Sequence, residues 1–171
     1  HEPIDFSKWG PVTVKKMTNL RKTIGARMAD SWTSIPHITQ FDEADITSLL
    51  ELRKKYSPRY EKKGAHLTLT SFAVKAVVRV LKNFPQFNAS MDELSGDIIF
   101  KSYFHIGIAV DTDQGLIVPV IRDVDKKGLL ELSVELRELA ERTRKRKVSL
   151  EEMHGRTFTI SNQGGIGSGH F

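Results

Sequence analysis

Apolar residues recur along this chain at two periods, and the switch between them predicts the elements. Between Asn19 and Thr33, Leu20, Ile24, Met28 and Trp32 fall on every fourth position, with Arg21, Lys22, Arg27 and Asp30 off that line. The spacing predicts a helix with one apolar face, stopped by Pro36. His37 to Ala44 is β-rich with mixed alternation and predicts a strand with a polar face. A second helix is expected after Asp45 as N-cap, with Ile46, Leu49, Leu50 and Arg53 on one face and Pro58 and Gly64 ending it. From Thr70 to Phe84 the set Phe72, Ala73, Ala76, Val77, Val80, Leu81 and Phe84 predicts a buried helical stripe, closed by Pro85. Three strand signals follow at 97–100, 104–111 and 116–121, the last two split by the turn-forming Asp111-Thr112-Asp113-Gln114-Gly115. Leu129 to Thr143 predicts a further long helix, with Leu129, Leu132, Leu136 and Leu139/Ala140 facing inward. Ser149-Leu150-Glu151-Glu152 is a capping box on a short turn, with Gly155 as its C′ residue. Thr157 to Ser161 then predicts a strand running into Asn162-Gln163-Gly164-Gly165.

This order predicts an α/β fold, a mixed β-sheet with helices packed on it. Residues 1–14 lack periodicity and hold Pro3, Gly10 and Pro11, so they read as the end of a linker or an extended arm. No repeat, low-complexity stretch or shift in composition marks a further boundary. A length of 171 residues with 39% hydrophobic and 27% charged positions is enough for a core without covalent staples. Cysteine is absent, which excludes disulfides, thiolate metal sites and a cysteine nucleophile. No apolar run reaches the roughly 20 residues of a membrane-spanning helix, and no membrane partner is expected.

The formal net charge of +5 is concentrated in two clusters. One is Arg53, Lys54, Lys55, Arg59, Lys62 and Lys63; the other is Arg142, Arg144, Lys145, Arg146 and Lys147. Apart from Tyr56 and Tyr60 neither carries aromatics for base stacking, and no nucleic-acid-binding motif accompanies them. Both fall at ends of amphipathic helices, where cations complement the macrodipole. A small polyanion is the functional alternative to that solvated role, and nucleic acid is not expected.

Chemistry-bearing patterns are sparse. The six histidines, His1, His37, His66, His105, His154 and His170, form no metal-ligand spacing, and no metal is expected. The run Gly164-Gly165-Ile166-Gly167-Ser168-Gly169 matches neither a dinucleotide-binding nor a P-loop pattern, and Ser161 lacks a hydrolase elbow. By themselves these residues make a glycine-rich turn after a strand-end hydroxyl.

Several segments, taken in order, carry a resemblance. They are Arg21-Lys22-Thr23-Ile24, Ile35-Pro36-His37-Ile38-Thr39-Gln40-Phe41-Asp42-Glu43 and Phe84-Pro85-Gln86-Phe87-Asn88-Ala89-Ser90. With them go His105-Ile106-Gly107-Ile108-Ala109-Val110-Asp111-Thr112, Gly115-Leu116-Ile117-Val118-Pro119-Val120 and Phe158-Thr159-Ile160-Ser161-Asn162. Together they resemble the catalytic domain of the dihydrolipoamide acyltransferases, the cores of 2-oxo acid dehydrogenase complexes. The opening Ile4-Asp5-Phe6-Ser7-Lys8-Trp9-Gly10 looks like the pyruvate dehydrogenase branch.

The resemblance implies a chloramphenicol acetyltransferase-like fold and acyl transfer, acetyl by branch, between dihydrolipoamide and coenzyme A. Succinyl or branched acyl groups are alternatives within the family, and a non-catalytic scaffold of this fold is an alternative outside it. Ser161 would stabilise the oxyanion, and Arg53, Thr68, Asp111, Ser161 and Asn162 would contact coenzyme A. The family's base is a histidine in an Asp-His-Arg-x-x-Asp-Gly motif, which this sequence does not contain. Residues 15–171 are therefore expected to be a catalytic domain incomplete at its C-terminal side, and this chain alone to be inactive. The implied partners are two further copies in a homotrimer, a cubic or dodecahedral core built from such trimers, lipoyl domains, and the decarboxylase and dihydrolipoamide dehydrogenase components. The implied compartment is the bacterial cytoplasm, or the mitochondrial matrix in a eukaryote.

Overall fold

A computed structural model describes residues 4–113 and 115–164. The chain divides into two compact units, His1–Glu43 and Ala44–Phe171.

In the first unit, Asp5 caps a 3-10 turn at Phe6–Trp9 by accepting from the Ser7 N–H at 3.1 Å. Helix α1, Asn19–Ser34, begins at Thr18, whose hydroxyl accepts from the Arg21 N–H. Its apolar line Leu20, Ile24, Met28 and Trp32 forms as predicted but is exposed along its whole length. The strand expected from His37 to Ala44 does not form. β-propensity creates no ladder unless a second strand lies alongside, and among the described residues no strand pairs with this segment. Instead Trp32 stacks on His37 with ring centroids 5.4 Å apart, and the His37 Nδ1 donates to the Ile35 carbonyl.

The second unit opens with α2, Thr47–Glu61, where the Asp45 carboxylate accepts from both the N–H and the hydroxyl of Thr47. These two bonds, the hydroxyl first, lower the Asp45 pKa. Pro58 does not end this helix, contrary to expectation. Its carbonyl still accepts from Lys62, and the chain leaves the helix at Gly64, in the left-handed region at φ +71°.

Helix α3, Leu69–Asn83, is capped by Thr68 and buries Ser71, Val74, Val78 and Leu81. The predicted stripe mixed two faces: Leu81 points inward, whereas Ala73, Ala76, Val80 and Phe84 are exposed. Lys75, Arg79 and Lys82 mark one polar face, but the remaining apolar arc is wider than the contact, so its neighbours decide which part of it is buried. Beyond α3, a 3-10 turn at Pro85–Asn88 leads into a hairpin of β1 (Ala89–Met91) and β2 (Ile98–Phe100). The buried Asn88 holds that hairpin's far end through its Nδ2, which donates to the Lys101 and Tyr103 carbonyls.

The predicted strand 104–111 divides between two sheets. β3 (Ile106–Ile108) lies between β6 (Val120–Ile121), antiparallel, and β7 (Phe158–Ile160), parallel; this is the mixed sheet. β4 (Val110–Thr112) turns away to pair with β5 (Gly115–Ile117). The switch falls at Ala109, whose N–H goes to the Ile160 carbonyl, and opposite it at Pro119, which has no N–H to give. Gly107 sits where a Cβ would come within 2.8–2.9 Å of Arg156 and Val118 side chains.

Helix α4, Leu129–Arg144, completes the unit. Leu132 and Leu139 join Val74, Val78, Leu81, Ile106, Ile121 and Val124 in one core between α3, α4 and the mixed sheet. His105 Nδ1 accepts from the Asp123 N–H, and Lys75 Nζ donates to the Lys127 carbonyl, so both side chains fix the turn before α4. The capping box is reciprocal, with Ser149 N–H to the Glu152 carboxylate and Glu152 N–H to the Ser149 hydroxyl, and Gly155 follows at φ +83°. No helix among the described residues is long and apolar enough to cross a membrane.

Candidate functional site

Four segments of the second unit enclose a pocket of about 690 Å³. One wall is the β3–β4 junction, Ile108 to Asp111; strand alternation buries Val110 and leaves Asp111 outward. The β4–β5 hairpin is held at its tip by the Thr112 hydroxyl on the Gly115 carbonyl. A second wall is His66, Thr68 and Thr70, leading into α3. Thr68 is fixed by capping, its hydroxyl 3.2 Å from the Ser71 N–H and 3.0 Å from the Ser71 hydroxyl. A third is the end of β7, Ile160 and Asn162. Asn162 is oriented at both ends of its amide: Nδ2 donates to the Thr70 hydroxyl, and Oδ1 accepts from the Gly164 N–H.

The fourth wall is α4. Its contributing positions, Ser133, Leu136, Arg137, Ala140, Glu141 and Arg144, share one helical face. Arg137 is engaged, with Nε on the Glu141 carboxylate at 3.2 Å and Nη1 on the Gly64 carbonyl at 3.0 Å. Nearby, Arg142 pairs at 2.7 Å with Glu152. The Glu152 pKa is lowered, first by the Ser149 N–H and then by that guanidinium.

Of the residues singled out in the sequence, Thr68, Asp111 and Asn162 therefore meet around one pocket. Ser161 does not line it; it stands exposed at the end of β7 between two residues that do. Arg53 lies on α2 outside the pocket wall. The glycine run beyond Gly164, and with it His170, lies outside the described residues, as do His1, Pro3 and Gln114. Sequence reasoning missed His66, Thr70, Arg137, Glu141 and Arg144. Arg144 was visible only as part of a basic helix end, and the α4 pattern drew attention to its leucine stripe instead. Among the described residues no group of three histidines, aspartates or glutamates is placed to hold a metal. The pocket offers hydroxyls, an oriented amide, two carboxylates, one of them paired with Arg137, and guanidinium groups, a set suited to a long, polar ligand bearing anionic groups.

The family model for 2-oxoacid dehydrogenase acyltransferases (catalytic domain) matches residues 10–171. The chain belongs to this family. A dihydrolipoyllysine-residue acetyltransferase component of the pyruvate dehydrogenase complex from Cupriavidus necator is 45% identical over 98% of the chain. The chain spans only about 30% of the length of that relative and of its Haemophilus influenzae counterpart. Among solved structures, the dihydrolipoamide acetyltransferase of Azotobacter vinelandii superposes with a TM-score of 0.94 at 44% identity. It was solved to define a serine, a histidine and an asparagine in its catalytic mechanism. The cubic core of a pyruvate dehydrogenase multienzyme complex matches equally well, TM-score 0.94 at 43% identity. Each match covers 99% of this chain and 70% of the other. The acyltransferase-domain fold expected from the sequence is thus the one observed.

Proposed function

We propose that this family member transfers an acetyl group between the thiol of dihydrolipoamide, carried on a lipoyl domain, and the thiol of coenzyme A. The observation that carries it is the pocket at which Thr68, Asp111 and Asn162 converge beside the Ser161 strand end. A base takes the proton from the attacking thiol, and the thiolate adds to the thioester carbonyl. The new C–S bond leaves a tetrahedral oxyanion, to which the Ser161 hydroxyl donates. Collapse re-forms the carbonyl, breaks the original C–S bond and expels the second thiolate, which recovers the proton. The base implied by the family motif is not among these 171 residues; in this mechanism it is that histidine, supplied across a homotrimer interface by a neighbouring subunit that carries the motif.

Assembly has its own support: the exposed apolar line of α1 and the exposed β2 residues Ile98, Ile99 and Phe100 are surfaces a neighbouring copy would cover. The solved relative described as a cubic core favours the cubic form over the dodecahedral one. The bacterial sources of the relatives favour the bacterial cytoplasm. In the assembled acyltransferase, Ser161→Ala should lower kcat for acetyl transfer from acetyl-CoA to dihydrolipoamide about 10²–10³-fold. An unchanged kcat would reduce Ser161 to a structural hydroxyl.

A further inference from the structure

We propose that Arg144 binds the phosphate-bearing head of coenzyme A, with the pantetheine arm lying along the polar face of α4. This rests on the acyl-transfer reading above and adds a binding residue and a direction for the substrate. The α4 face from Ser133 to Arg144 covers eleven residue steps, about 16 Å at 1.5 Å rise per residue. The pocket is therefore long in one direction, and its roughly 690 Å³ is of ligand size.

Its character changes along that length. Ser133 is fully buried and its hydroxyl is already spent on the Leu129 carbonyl; Leu136 is apolar and half-buried. Midway, Arg137 and Glu141 neutralise one another. Arg144 closes the row, exposed and without a hydrogen bond or ion pair to any described residue. It is thus the one guanidinium in the wall free to take an anion.

Its surroundings favour that anion. Lys145, Arg146 and Lys147 follow directly, while Arg142 is committed to Glu152. The helix-end carbonyls of Glu141, Arg142 and Thr143 already accept from Lys145, Lys147 and Arg146, the last in the left-handed region at φ +56°. Their partial negative charge is therefore answered before a ligand arrives. A guanidinium matches phosphate oxygens two at a time. The amide-rich arm suits the acceptors on the remaining walls, the Asp111 carboxylate and the Thr68 hydroxyl, which offer nothing to a phosphate by charge.

The test is the KM of the assembled acyltransferase for three thiols: coenzyme A, its 3′-dephospho form, and pantetheine, which has no phosphate. Arg144→Ala should raise the KM for coenzyme A about tenfold, the size of one lost hydrogen bond to a charged group. The KM for pantetheine should not follow, so the preference for the phosphorylated thiol collapses. Comparing the dephospho form then assigns the contact to the 3′-phosphate or to the pyrophosphate. Arg144→Gln, read in parallel, preserves the comparison if the alanine variant fails to assemble, and Arg144→Lys should restore part of the preference. A coenzyme A to pantetheine KM ratio unchanged in these variants overturns the proposal, as does its loss in Arg53→Ala alone. Wild-type subunits that carry the histidine motif and still acetylate none of the three thiols would instead overturn the acyl-transfer reading.

Discussion

Helices α1 and α3 have nearly the same length and opposite fates. In α1 the apolar line Leu20, Ile24, Met28 and Trp32 is 49%, 40%, 61% and 76% exposed, and no residue of the helix is buried. In α3, Val74, Val78 and Leu81 are 0%, 3% and 2% exposed. Both begin on a threonine whose hydroxyl accepts from the N–H three residues on. Local rules thus make either helix, and periodicity marks a face on each, but only α3 finds cover within its own compact unit. The teaching is physical: an amphipathic pattern states that a face wants a partner and carries no information about which molecule supplies it.

That contrast can be broken most forcefully in the core. Leu132, fully buried among Val74, Val78 and Ile106, should cost about 2–5 kcal/mol on substitution by alanine, measured by denaturant unfolding. Met28→Ala on α1 should change unfolding of the dissociated subunit by no more than about 0.5 kcal/mol, and should appear instead as weaker assembly in analytical ultracentrifugation. Equal costs in the dissociated subunit would dissolve the distinction. A smaller effect separates the two caps. Thr68→Ala should cost about 1 kcal/mol of the second unit's stability. Thr18→Ala, with the same geometry, should speed amide exchange at the start of α1 and leave that unit's unfolding midpoint in place.

The smallest expected effect concerns acid. The Glu152 carboxyl titrates below its ordinary range, chiefly through the Ser149 N–H and then Arg142. A carboxyl whose pKa is lower folded than unfolded contributes stability that is complete above the ordinary glutamate range and is lost as pH falls through the lowered value. Glu152→Gln should therefore lower stability slightly at neutral pH, by less than about 1 kcal/mol for so accessible a group. It should also make stability fall less steeply on acidification. Acid unfolding curves for the two proteins that stay parallel would show that the box and ion pair carry no linked proton.

Part of the site was legible, but through the family resemblance. Thr68, Asp111 and Asn162 were expected as contacts by position alone, and the helical stripe read from Thr70 did not mark Thr68 as the cap it proves to be. Arg144 and His66 stand in segments whose local role is complete without a ligand, so nothing nearby in sequence points to them. Their place in the pocket wall depends on the packing of α4 beside β4 and the entry to α3.

The sequence by itself determined the helices, their caps, the Ser149–Glu152 box and the family, because each depends on residues within a turn or two of one another or on motifs read in order. Tertiary structure decided the rest: which face of α3 is buried, that 37–44 gains no ladder, and that 104–111 is shared between two sheets. It also decided that α4 turns a polar row toward a pocket. Those outcomes rest on bonds such as Lys75 to the Lys127 carbonyl and Thr157 N–H to the His105 carbonyl, each closing about fifty residues of chain. A strand pairs and a helix face is buried only when a distant segment arrives to complete the hydrogen bonds and exclude water, and no local pattern encodes that arrival.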